Sequence, residues 1–395
     1  MGWSESPRKT GNALVCAIMA KPELSSSARP NQPAGPAALP AIPVIDLGRA
    51  ATPALLEAEP ARARALLAAG RRYLPGGVAR LADRISAQWL LASGSPYLGE
   101  IEAMAAHLGA PGVLFLNASY EWACTSAVER ASGAPGQRLV RTLDWPLPGL
   151  GRHLVAARHT GPAGPWVNLT WPGFAGAIQG LAPGRFAAAI NQAPMRRHGL
   201  GLIPDWALNR WRVWRRPALP PSHLLRRVFE TCADYAAARR LLCETPIAMP
   251  TIFALCGPGA GEACVIEREE TSSAILDGPV AAANHWQKIA RRDRARGEDS
   301  DGRLALMTRR LGDPLDVPLG DPGGGLRAEP RADGAFAWLT PPILNPMTRV
   351  ALVAEPASGA LAVRGYEAEG PVTDSLHLGP GLDPGPGPGP GAGRA

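Results

Sequence analysis

Cys124 opens the run Ala123-Cys124-Thr125-Ser126-Ala127-Val128, and after a glycine-bearing turn the chain continues Arg141-Thr142-Leu143-Asp144-Trp145. The thiolate is the reactive form of cysteine, and forming it requires a base to take the proton. An internal cysteine can acquire that base in one step. If the bond before Cys124 is cut, the same residue gains a free α-amine, which titrates at about 7.7–8.0 and can accept the thiol proton near neutral pH. Arg141 and Asp144 follow Cys124 by seventeen and twenty residues. A strand, a turn and a returning strand bring both back beside the cysteine. There they would hold the amine and tune the charge on the thiol. The chemistry is that of a nucleophile exposed by self-cleavage. For Cys124 taken alone, a buried and inert cysteine is the plain alternative.

Cys-Thr-Ser at 124–126 followed by Arg-x-x-Asp-aromatic at 141–145 resembles the mature N-terminus of acid ceramidases and N-acylethanolamine acid amidases. These are cysteine-type N-terminal-nucleophile (Ntn) hydrolases. The likeness to penicillin acyltransferases and choloylglycine hydrolases is more distant. Upstream, Pro96 to Ala106 and Leu116 to Glu121 look like the segments that precede the scissile bond in the ceramidase group, and Ile42 to Leu47 looks like its N-terminal strand. The resemblance spans about residues 41 to 365. It implies an α+β fold, the four-layer αββα sandwich of Ntn hydrolases with a helical N-terminal segment and Cys124 at the end of a central strand. It also implies an α/β heterodimer made from one cleaved chain.

The resemblance assigns further roles. Asn284, in Ala283-Asn284-His285-Trp286, takes the place of the oxyanion-hole asparagine, a donor worth about 2.7–4 kcal/mol in such sites. Arg303, in Asp299-Ser300-Asp301-Gly302-Arg303, would brace the site from a helix start. General residue statistics leave an ordinary turn asparagine and a solvated arginine as the rival readings. Asn191 and Gln192 stand where the family carries Asn-Glu, so Gln192 keeps the shape of the carboxylate and loses its charge. A charge role there, in self-cleavage or in a low-pH optimum, is not carried over. Ala123 after Trp122 is a second departure, because relatives often have a β-branched or apolar residue before the cysteine. Trp171, Asn191, Gln192 and Arg303 are taken as substrate contacts.

Those residues need a scaffold, and 395 residues are enough for one large core or two. Residues 1–40 read as a flexible leader rich in Ser, Pro, Ala and Gly, and 376–395 as a disordered Gly/Pro tail. Residues 41–123 form the helical segment that becomes the α-subunit, and 124–375 the catalytic β-subunit. Apolar spacing predicts helix from Pro53 to about Ala92 and from Tyr97 to Leu108. Beyond Cys124 the pattern turns to strands at 167–170, 174–179 and 185–191, with a hairpin turn at Leu181-Ala182-Pro183-Gly184. Ser222 is read as the cap of a helix that carries Leu225, Val228, Phe229 and Cys232, followed by a helix from Asp234 to Cys243. Strands follow at 251–256, 262–267, 273–276, 348–354 and 360–363.

The net charge of +7 allows an acidic or anionic-lipid partner without implying nucleic acid. Six cysteines form no CxxC pair, and seven scattered histidines show no ligand spacing, so neither metal nor cofactor is called. No run is long and apolar enough to span a bilayer. Residues 13–20, after Arg8 and Lys9, read either as a short signal h-region or as plain leader; a cytoplasmic location is the expectation, with a cleaved secretory signal the alternative. Trp206, Trp211 and Trp214 interleave with Arg210, Arg212, Arg215 and Arg216. This segment reads either as a lipid-facing lip near Phe174 or as a packed, solvated stretch, with nucleic acid a minor third reading. The function expected is a self-processing amidase acting on a linear, N-acylated (fatty-acyl) small molecule through an acyl-thioester. An acyltransferase using the same thioester is the rival within enzymes. An unprocessed relative that only binds a lipid or acyl ligand is the rival outside them.

Overall fold

The computed structural model describes residues 38–73, 76–131, 136–311 and 334–379. The leader up to position 37, including the run at 13–20, turn residues 132–135 and tail positions 380–395 lie outside them. In chain order the N-terminal part gives β1 (Val44–Gly48) and helices α1 (Pro53–Ala58), α2 (Pro60–Arg71), α3 (Gly76–Ala92), α4 (Leu98–Leu108) and α5 (Val113–Asn117). Strands β2 (Ala123–Arg130), β3 (Gln137–Asp144), β4 (Val155–Gly161), β5 (Gly164–Thr170), β6 (Gln179–Ala182) and β7 (Phe186–Gln192) follow. Then come α6 (Leu202–Trp214), α7 (Pro221–Thr231) and α8 (Tyr235–Glu244). The chain continues with β8 (Thr251–Cys256), β9 (Ala263–Arg268), β10 (Ser273–Asp277), β11 (Val280–Ala282) and α9 (Ser300–Arg309). It closes with β12 (Thr348–Glu355), β13 (Ala360–Glu367), β14 (Gly370–Pro371) and β15 (Leu376–Leu378).

These strands build two sheets. One runs β1-β4-β5-β6-β7-β8-β9-β10, and the other β11-β2-β3-β12-β13-β14 with β15 also on β13. Strands β2 and β3 pack across β7 and β8, α7 and α8 cover the outer face of the first sheet, and α9 covers β11 and β2 of the second. The order of layers is helix, sheet, sheet, helix, as expected. Strand β2 is flanked by β11 and β3, one place in from the sheet edge rather than at its centre.

Sandwiching explains the composition of β2 and β3. Both faces are covered, so every residue from Ala123 to Glu129 and from Gln137 to Asp144 is buried. Successive side chains of a strand point to opposite faces. Cys124, Val128, Leu139 and Leu143 therefore enter the core between the sheets. Ala127 and Val140 enter a second cluster with Met307, Phe336 and Trp338 under the helical layer. Arg141 shares the parity of Leu139 and Leu143, and Asp144 that of Val140. The spacing of three thus sends the two charged residues to opposite faces of one strand.

Several sequence expectations shift. Strand β6 begins only at Gln179, and Phe174 to Ile178 is irregular chain. There the Ala175 N–H is held by the Asn117 side chain, and the Ala177 N–H by the Ser222 carbonyl, rather than by a ladder. Ser222 is not a cap. Helix α7 starts at Pro221, and the Ser222 hydroxyl pairs with the Tyr120 hydroxyl instead. Asp234 does cap α8, by accepting the Ala237 N–H. Leu376–Leu378, within the expected tail, pairs with β13.

Candidate active site

Cys124 lies at the start of β2, fully buried. Its Sγ accepts a hydrogen bond from Arg141 Nη2 at 2.9 Å, and its backbone N–H donates to Asn284 Oδ1 at 2.8 Å. Its carbonyl oxygen accepts from Arg303 Nη1 at 2.6 Å. Thiol, nitrogen and carbonyl of one residue are each held by a different side chain. The antiparallel register places Leu143 opposite Cys124 and Asp144 opposite Ala123.

Arg303 is a buried hub rather than a solvated residue. It bonds Thr125 Oγ1 at 2.9 Å and Asn284 Oδ1 at 3.1 Å, and pairs with Asp144 at 3.7 Å. Asp299 makes this possible by capping α9 from the left-handed region (φ 41°), its side chain accepting the Gly302 N–H at 3.0 Å. Asp144 also accepts from Thr348 Oγ1 and Asn345 Nδ2, each at 3.0 Å. It therefore serves Arg303, whereas the Cys124 nitrogen is held by Asn284. Burial pushes the Asp144 carboxyl up, with Arg303 opposing the rise. Burial likewise raises the Cys124 thiol, and Arg141 pulls against it.

The side-chain amides of three assigned residues are hydrogen-bonded within the protein. One N–H of Asn284 Nδ2 donates to the Gln192 carbonyl at 2.8 Å, and its oxygen faces the cysteine nitrogen. Asn191 Nδ2 donates to Ser126 Oγ at 2.9 Å and to the Ala282 and Ala283 carbonyls, tying β7 to β2 and β11. Its Oδ1 is buried without a partner, so what it has left to offer is an acceptor. Gln192 holds the chain just before Cys124. Its Nε2 donates to the Tyr120 carbonyl and its Oε1 accepts the Trp122 N–H at 3.0 Å.

Glu121 anchors the same segment. Its carboxylate accepts from Arg210 at 2.6 Å, Arg296 at 2.7 Å and Trp206 Nε1 at 3.1 Å. Burial works against its charge, but Arg296 and Arg210 hold the carboxyl below its ordinary range. Gly297 lies against the junction with φ 73°, and a Cβ there would stand 2.5 Å from Ala123 Cβ and 2.7 Å from Arg303 Nη2. Only glycine fits that approach.

Trp171 belongs to a neighbouring apolar cleft, open to solvent, with Leu66, Leu67, Leu116, Trp145 and Phe174. Tilted and edge-on ring contacts run from Tyr120 through Trp122 and Trp145 to Trp171 and Phe174, linking the segment before Cys124 to this cleft. The expected lip of Trp206, Trp211 and Trp214 with Phe174 does not form around one opening. Trp206 lines a separate, arginine-rich cavity, Trp214 packs against the core, and Trp211 is 49% exposed.

No family model matches the chain. It is 32% identical over 120 residues to acid ceramidase of Pan troglodytes, and 31% over 120 residues to that of Homo sapiens. Over that stretch the chain resembles acid ceramidase. In both cases the match covers 30% of this chain and 29% of the relative, under a third of the length of either. Among solved structures, the Caenorhabditis elegans N-acylethanolamine-hydrolyzing acid amidase ortholog is 19% identical with a TM-score of 0.44, over 59% of this chain and 93% of that one.

Sequence reasoning missed Gln179, Asn345, Thr348, Gln192's hold on Tyr120 and Trp122, and the close approach of Gly297 to Ala123. Nothing local marks them, because their partners lie 38 to 204 residues away. Among the described residues no group of three or more His, Cys, Asp or Glu is placed to hold a metal. No helix there is long and apolar enough to cross a membrane.

Proposed function

We propose that the chain cuts itself before Cys124 and then acts as an N-terminal-cysteine amidohydrolase on linear amides of N-acylated, fatty-acyl small molecules. One observation carries the reading: the Cys124 thiol is on Arg141 while its nitrogen is already on Asn284, so the cut would create an amine where an acceptor waits. In self-cleavage, Sγ attacks the Ala123 carbonyl carbon, the Cys124 nitrogen leaves with a proton as the free amine, and Ala123 is carried as a thioester. Water then releases the Ala123 carboxylate and the thiol. In turnover the amine takes the thiol proton and the thiolate attacks the substrate carbonyl. The leaving amine departs with a proton, and water activated by the α-amine hydrolyses the acyl-thioester. Arg141 favours the thiolate, Asn284 Oδ1 orients the amine, and Arg303 with Asp144 fixes the backbone that carries both.

The cleft at Trp171 suits an acyl chain, since its lining is apolar and ring contacts lead from it to the residue before the cut. Val78, Leu81 and Leu91 of α3, together with Leu200, Ile203 and Trp211 at α6, leave apolar side chains exposed on two helices that touch. Interspersed with Arg212 and Arg215, they suit contact with a lipid surface that supplies the substrate. Intact mass measurement of purified protein, beside Cys124→Ala, tests the processing. Release of free acid from an N-acyl aminocoumarin tests the hydrolase. Transfer to an added amine in place of acid would favour the acyltransferase, and a single uncut, inert chain the binding protein.

A further inference from the structure

Arg141 is a buried cation with an unusual set of partners. Its Nη2 donates to Cys124 Sγ and, at 2.6 Å, to the Ile190 carbonyl. Its Nη1 donates to Gln179 Oε1 and, at 3.4 Å, to the Ile178 carbonyl. Every one of these acceptors is neutral while the thiol is protonated, and no carboxylate of the described residues lies within ion-pair distance of Arg141. Asp144 and Arg303 are the other charged groups acting on Cys124; they pair with each other, and Asp144 also feels the Arg141 charge from beyond ion-pair distance.

A buried guanidinium without a counter-ion is costly and is usually matched by a carboxylate. Position 179 is where that carboxylate would stand. Gln179 is fully buried on β6, in the sheet facing Arg141, and is one atom type removed from glutamate. Its Nε2 is buried with no partner, so the amide is not satisfied as a pair of groups. The side chain offers Arg141 one oxygen and leaves its own nitrogen idle. Choosing an amide here keeps the guanidinium in place and leaves its charge for the sulfur.

We propose that Gln179 is the positioning residue that holds Arg141 against Cys124 without placing a carboxylate in contact with it, so that the Cys124 thiolate is its contact counter-ion. The proposal rests on the nucleophile reading above. It concerns the thiol itself, so it is read without amide turnover. A carboxylate at 179 would keep the hydrogen bond and cancel the charge. A thioether of the same length would keep the charge and lose the hydrogen bond.

The test is the titration of Cys124, followed by thiolate ultraviolet absorbance across pH as the difference from Cys124→Ala, which removes the other thiols. Gln179→Glu should move the midpoint up by at least about one pH unit, the scale on which nearby charges shift such groups. Gln179→Met should move it up by a smaller amount and slow alkylation of the thiol, because the arginine is no longer tethered. A folded Gln179→Glu protein that titrates at the wild-type midpoint overturns the proposal, whether or not the chain proves to be an amidase. If Gln179→Glu does not fold, Gln179→Met decides: an upward shift supports the assignment and an unmoved midpoint overturns it. Amidase failure with the shift intact would instead count against the nucleophile's proposed reaction.

Discussion

Asn284 Oδ1 accepts the backbone N–H of Cys124 at 2.8 Å, and Arg303 Nη2 donates to that same oxygen at 3.1 Å. The oxygen is therefore shared between a nitrogen that would become the amine and a cation that fixes its direction. Asn284→Ala should leave the fold intact and lower kcat by about a hundredfold, the scale of a misplaced base. Asn284→Asp keeps the acceptor and should recover part of that loss. Steady-state kinetics on folded protein reads both, and wild-type kcat in Asn284→Ala would remove it from the site.

Cleavage between Ala123 and Cys124 should give fragments 1–123 and 124–395 that stay together in gel filtration. The reason is packing: Leu66, Leu67, Trp89 and Ile101 of the first fragment share one core with Cys124, Leu143 and Leu169 of the second. N-terminal sequencing of the larger fragment should begin Cys-Thr-Ser. An active full-length chain, or a different start, would contradict the mechanism.

Gly297→Ala should be severe for one methyl group. Its positive φ costs a non-glycine residue about 1–3 kcal/mol, and the added Cβ meets Ala123 and Arg303. The expected result is a lower Tm together with slowed or absent self-cleavage. A stable protein that cuts at the normal rate would show that this loop yields easily.

Glu121 gives a pH signature. Its folded carboxyl titrates below the ordinary range because Arg296 and Arg210 outweigh burial. Its stabilisation is therefore complete above the unfolded value of about 4.3 and is lost as pH falls through the lower folded value. At neutral pH, Glu121→Gln should lower stability by roughly 3–5 kcal/mol, as removal of one partner from a buried pair does. The difference in Tm from wild type should shrink as pH drops below about 4. A gap that stays constant through that range would mean the carboxylate's charge is not what holds the segment.

Acyl-chain length should matter through the Trp171 cleft. Each buried CH₂ is worth about 0.8 kcal/mol before entropy is counted, so kcat/KM should climb from acetyl towards palmitoyl aminocoumarins. Trp171→Ala should flatten that climb more than it lowers the acetyl rate. A flat wild-type profile, or a preference for acetyl or phenylacetyl, would move the substrate away from lipids.

Some of this was legible because it is local. Strand β8 carries the bounds read from sequence, Thr251–Cys256, because a continuous apolar run between turns cannot hide in a layered fold. Helix α8 announced itself by Asp234 and its apolar stripe. Phe174 to Ile178 was misread because apolar residues between glycines look the same in a strand as in a buried loop. Ser222 was misread because a hydroxyl before an apolar stripe fits a cap as well as it fits a distant tyrosine.

By itself the sequence determined the parts: a cysteine, an arginine and an aspartate at spacings of seventeen and three, on two strands that a short turn must pair. It also determined the face each takes, because alternation along a strand is a property of the backbone. What those side chains touch was decided by tertiary structure alone. The oxygen for the cysteine nitrogen comes from Asn284, 160 residues on, and the neutral acceptor for Arg141 from Gln179 on the opposite sheet. Hydrogen bonds of that kind reward groups for meeting in space, and the chain carries no local record of where its distant segments will meet.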